Sequence, residues 1–118
     1  MKNDICDRTL GFAVRIVKLC RFLDEQAGVG STLSKQLIRS GTSIGANVEE
    51  AQGGQSRADF LSKISIACKE ARETLYWLKL LEAAEVISND RLQETKTEAN
   101  ELIGILTAII KSTKEKAP

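Results

Sequence analysis

"FLSKISIACKEARETLYWLKLL", residues 60–81, decides the fold. Phe60, Ile64, Ala67, Ala71, Thr74, Leu78 and Leu81 recur at alternating intervals of four and three. That is the period of a helix face packed along its whole length against other helices. Leu61, Cys68 and Leu75 flank the seam at heptad intervals. Ser56, with Asp59 three residues on, has the form of a capping box. The pattern predicts a helix over 57–84.

Upstream, Leu33, Leu37, Ile44, Val48 and Ala51 keep helical spacing, with Gly41 in the missing apolar place. A second helix is predicted over 32–52, capped by Ser31 or Thr32 and broken by Gly53-Gly54. "AGVG" at 27–30 separates it from a first helix over 7–26, with Gly28 and Gly30 supplying left-handed conformations. In that first helix Phe12, Ile16, Leu19 and Leu23 form the stripe, and Leu10, Ala13, Val14, Val17 and Cys20 widen it. An arc this wide implies contacts beyond the helix's own bundle.

Downstream, "EVISND" turns the chain and Ser88 caps a fourth helix over 89–112, carried by Leu92, Ala99, Leu102, Leu106 and Ile109. Residues 113–118 read as a polar tail. The only proline is Pro118, so nothing interrupts the helices. The expected fold is all-α, one domain over 1–118, an up-down-up-down antiparallel four-helix bundle.

The chain of 118 residues carries 17 basic and 16 acidic side chains, a net charge of +1. The balance holds locally, with no basic block or tail of the kind that marks a strongly cationic nucleic-acid surface. The helix-one segment "GFAVRIVKLC" is interrupted by Arg15 and Lys18, so neither a signal peptide nor a membrane span is expected. Cys6, Cys20 and Cys68 form no CxxC pair, which places them as free thiols in a reducing cytoplasm. With no histidine in the chain, a Ser-His-Asp triad and the Glu-x-x-His sites of di-iron bundles are excluded. No catalytic residues, cofactor or metal are expected.

Several polar positions stand out. Gln36, Arg39, Ser43, Asn47 and Glu50 form a stripe on the second helix, and Glu70 and Glu73 lie one turn apart on the third beside Ile66, Trp77 and Leu80. Half-buried carboxylates need a cation, and Arg39 is the natural one. The stripe is expected to form a register-fixing or subunit-joining network, and the carboxylates Glu50, Glu70 and Glu73 leave an all-oxygen metal or small-molecule site as a further reading. Gly41 and Gly45 together cost a helix roughly 2 kcal/mol relative to alanine. Close helix packing is the structural return for that cost, and a ligand on the bare backbone is the alternative. Trp77 is expected at an interface. Arg8, Arg15, Lys18 and Arg21 on helix one form a basic set that either contacts nucleic acid or is simply solvated.

"QLIRSGTSIGANVEEA" followed by "SRADFLSKISIACKEARETLYWLKLL" resembles the bacterial four-helix-bundle family of proteins encoded in 23S ribosomal RNA intervening sequences. The accessory variability determinant of diversity-generating retroelements is related to it. The matching positions are Gln36, Leu37, Arg39, Ser43, Ile44, Asn47 and Glu50, then Ser56, Phe60, Ala67, Glu73 and Leu78. The resemblance implies a ring-shaped homopentamer, with Arg39, Asn47, Glu50 and Glu73 organising the bundle or the subunit contact. Two departures are visible: the chain is nearly neutral where the retroelement relative is basic, and Gly45 stands where many relatives have proline.

The resulting expectation is a non-enzymatic, homo-oligomeric accessory or scaffold protein of the cytoplasm, associating with RNA or a ribonucleoprotein. The alternative is a protein–protein interaction module that binds no nucleic acid.

Overall fold

The computed structural model describes residues 4–116, and among these every regular element is a helix. The helices are α1 (Asp4–Asp24), α2 (Val29–Gln52), α3 (Arg57–Ala83) and α4 (Asn89–Glu115). Each packs on its chain neighbour in antiparallel fashion, and α1 meets α4 over a thinner seam to close the bundle. The result is a rod of 52 × 24 × 20 Å. Its axis is filled by Phe12, Ile16 and Leu23 of α1, Leu37, Ile44 and Val48 of α2, Ile64, Leu78 and Leu81 of α3, and Leu92, Leu102 and Leu106 of α4. The apolar stripes of all four helices therefore converge on one core.

The helix ends differ from the sequence expectation in ways that have local causes. α1 starts at Asp4 rather than 7 and stops at Asp24 rather than 26. Of Gly28 and Gly30, only Gly28 adopts a positive φ, at +88°, and the next residue already begins α2. Ser31 and Thr32 thus lie inside the helix, and the N-cap is Gly28 without any side-chain bond. Gly30 is helical and buried rather than left-handed, and a Cβ there would lie 3.5 Å from the Leu23 carbonyl oxygen.

α3 begins where the capping signature placed it: the Ser56 hydroxyl accepts from the Asp59 N–H at 3.1 Å. It ends at Ala83, and Glu85 takes a left-handed φ of 59° to turn the chain. Ser88 stands at the N-cap of α4 but makes no side-chain capping bond. α4 continues to Glu115, three residues beyond the expected end, because nothing in "KSTKE" breaks a helix. Of the polar tail over 113–118, residues 117–118 lie outside the described residues.

Candidate functional site

Two small residues let α1 and α2 approach closely. A Cβ at Gly41 would stand 2.8 Å from both Cγ1 and Cγ2 of Ile16. A Cβ at Gly45 would stand 3.2 Å from the Thr9 hydroxyl. The Cβ directions of both glycines are filled by α1 side chains, and Gly45 also lines a surface pocket between the two helices with Leu10, Ala13, Thr42 and Glu49.

On the other flank of α2, Arg39 reaches over to α3. Its guanidinium donates to Glu70 at 3.3 Å and to Glu73 at shorter range, and a third donation runs to the Gln36 side chain at 3.4 Å. The Trp77 indole N–H donates to the same Glu73 carboxylate at 3.0 Å. Beneath this group the hydroxyl oxygens of Ser40 and Thr74 lie 2.8 Å apart in the core, and Thr74 is 2.7 Å from the Glu70 carbonyl oxygen. Each hydroxyl has one proton, so one serves the carbonyl and the other bridges the helices.

The rest of the polar stripe does not join this cluster. Asn47 donates back to the Ser43 carbonyl at 2.9 Å and to its hydroxyl at 3.1 Å. Glu50 pairs with Lys63 at 2.8 Å. Glu50 is thus held by Lys63 while Glu70 and Glu73 share Arg39, and among the described residues no cluster is arranged to hold a metal ion. Trp77 is half-buried against the core, its ring centroid 5.3 Å from that of the exposed Tyr76 in an edge-to-face arrangement.

The basic set of α1 is divided. Arg8 donates to Glu98 at 2.7 Å and to Glu101 at 2.6 Å, and those hydrogen bonds push its pKa above the ordinary arginine value. Arg15 pairs with Glu94 at 2.8 Å. Lys18 and Arg21 remain exposed, with no carboxylate partner among the described residues. Arg8 and Arg15 thus stitch α1 to α4 instead of presenting a row of charges outward. Arg91 completes that seam, stacked 3.8 Å above the Phe22 ring.

Glu94, Glu98, Glu101 and Arg91 were missed as partners. The available signal was the pair of stripes themselves: glutamates at intervals of four and three on α4 opposite arginines seven apart on α1. All three cysteines are free and buried. Burial raises the pKa of Cys6, with the Glu49 carboxylate adding to it, and burial likewise raises that of Cys20.

The fold and its polar side chains define an up-down four-helix bundle with ion pairs running between its neighbouring helices. The chain belongs to the 23S rRNA-intervening sequence protein family, whose model matches residues 1–108. It is similar to a crystal structure from Bacteroides thetaiotaomicron, described as a protein of unknown function from the S23 ribosomal protein family. The two share 48% identity at a TM-score of 0.84, over 91% of this chain and 98% of the other. No functionally curated protein matches the chain. No described helix is long and apolar enough to cross a membrane.

Proposed function

We propose that this protein is a non-enzymatic scaffold that acts by assembling with copies of itself and gripping a protein partner. The observation that carries this reading is the outer strip of α1, where Leu10 is 63% and Val14 47% exposed while the charged side of the same helix is occupied by α4. Large apolar side chains side by side in water mark a contact surface. The near-zero net charge of +1 supports a protein partner over a polyanion. A homopentameric ring is the assembly that the family resemblance adds, and the three free cysteines favour a reducing cytoplasm.

Association with RNA or a ribonucleoprotein is the second reading. It is favoured by the α1–α4 groove, where Lys18 and Arg91 stand with Arg15 beside the Phe22 ring. Phosphate contacts there would weaken steeply with salt.

Size exclusion with light scattering, on protein purified at low salt from its native cells, tests both. A particle of several chains with the absorbance of protein alone is the expected result. Nucleic acid that high salt strips away would move the assignment to RNA, and loss of that binding in a Lys18→Gln/Arg91→Gln variant would locate it. A single bare chain would overturn the scaffold reading.

A further inference from the structure

We propose that the outward face of α3 is a docking surface for an acidic amphipathic helix of another protein. The inference rests on the reading that this protein grips a protein partner, and it names the face and the partner's chemistry.

Ile66, Lys69, Arg72, Tyr76 and Lys79 follow one another at intervals of three and four, which aligns them along the side of α3 turned away from the core. All five are exposed, Ile66 at 38% and Tyr76 at 58%. Lys69 to Lys79 covers about 15 Å of helix axis, close to three turns. None of Lys69, Arg72 and Lys79 pairs with a carboxylate among the described residues. The acids three or four residues away on the same helix are Glu73 and Glu82, and both are taken. Glu73 accepts from Arg39 of α2 and from the Trp77 indole, and Glu82 pairs with Lys96 of α4. Glu70 shares Arg39 with Glu73, so that flank carries one negative charge in excess. Three unpaired cations set against it leave the face with two positive charges.

Such a face calls for carboxylates spaced along a rod, with apolar side chains among them. An acidic amphipathic helix supplies both at the same pitch. Its carboxylates meet Lys69, Arg72 and Lys79 while its apolar side chains cover Ile66 and Tyr76. A nucleic-acid strand fits less well. Its charge continues with every phosphate, whereas the cations stop after this short stretch, with Ser62 before and Ala83 after it uncharged. Tyr76 alone also gives bases only one ring to stack on. The Leu10 and Val14 strip of a second copy is no better match, because Lys18 and Arg21 border it and would meet like charge.

The test titrates the intact chain against fluorescein-labelled probes followed by anisotropy, while light scattering reports the mass of the unlabelled chain. One probe is a helical peptide with leucines and glutamates on a common face, the second has glutamine for every glutamate, and the third is an oligouridylate. The expected result is binding of the acidic peptide alone, weakening as salt screens the charges. Arg72→Gln/Lys79→Gln is expected to weaken it roughly fivefold or more, whereas Lys18→Gln/Arg21→Gln, the same change of charge on α1, leaves it within about twofold. All four positions are exposed, and circular dichroism checks that the helices persist. No binding of the acidic peptide, equal binding of the glutamine peptide, or equal loss in the two variants overturns the proposal. Tighter binding of the oligouridylate also overturns it and makes the face a nucleic-acid surface. If Arg72→Gln/Lys79→Gln falls to a single chain where the native protein is larger, the face is a contact between copies; the proposal fails and assembly stands. A native protein of one chain that binds the acidic peptide overturns assembly and leaves this surface in place.

Discussion

Gly41 of α2 lies so close to Ile16 of α1 that a Cβ would stand 2.8 Å from two of its branch carbons. Those atoms sit next to the backbone on a stiff β-branched side chain, so they cannot swing away. Gly41→Ala is expected to lower stability by about 1–3 kcal/mol from overpacking, outweighing the ~1 kcal/mol that alanine gains in a helix. Gly104→Ala supplies the opposite case, since nothing lies within 4 Å of its added Cβ. It is expected to stabilise by up to ~1 kcal/mol, or roughly 4 °C in Tm. Urea unfolding of the two variants checks both signs.

The hydroxyl pair of Ser40 and Thr74 gives a second prediction. Thr74→Val leaves the Ser40 hydroxyl buried with only a long contact of 3.5 Å to the Leu37 carbonyl. A cost of about 1–3 kcal/mol is expected. Ser40→Ala together with Thr74→Val removes both partners, and the combined loss should be smaller than the sum of the single losses. A double-mutant cycle by chemical denaturation measures that difference.

The α1–α4 seam should respond to salt. Arg8 and Glu98 are partly exposed, so their coupling energy is expected near 1 kcal/mol or less. A cycle of Arg8→Ala and Glu98→Ala, run at low and at 1 M salt, should show the coupling shrink as the charges are screened. Equal coupling at both salt levels would mean that packing, not charge, joins these helices.

The thiols should be slow to react and should link stability to alkaline pH. Burial raises the pKa of Cys6 and Cys20 in the folded state above the ordinary thiol value. A raised pKa favours folding fully below the unfolded thiol's pKa, and that contribution is lost as pH climbs through the folded value. Stability is therefore expected to decline above the ordinary thiol range, and less so in a Cys6→Ser/Cys20→Ala variant after correction for its own packing loss. Disulfide-exchange titration at neutral pH should find the native thiols protected and all three titrating in denaturant.

Much of this bundle was legible because helical packing writes a period into the sequence. The seam from Phe60 to Leu81 and the stripe from Leu37 to Ala51 run long enough to locate α3 and α2 without ambiguity. Arg39 and the Glu70–Glu73 pair were readable as partners because each stands in such a stripe. What was not legible depends on geometry between distant segments. Arg8 and Glu98 are 90 residues apart, and no local rule shows that they meet. The start of α2 was hidden because Val29-Gly30 reads as linker, whereas the one left-handed glycine before it lets the chain reverse in fewer residues. The end of α4 was hidden because polar residues prolong a helix as readily as they end one.

Three of the four helix seams join elements consecutive in the chain, and only the contact of α1 with α4 spans nearly its whole length. Folding can therefore proceed as successive hairpins, each closing a short loop, a low-contact-order route of the kind that runs fast. The one costly closure comes last and falls on a seam fastened by Arg8, Arg15 and Arg91. As the chain leaves the ribosome, α1 to α3 can pack before α4 arrives, and α4 then settles under electrostatic guidance. The same clasp makes α4 the helix that ionic strength would loosen first.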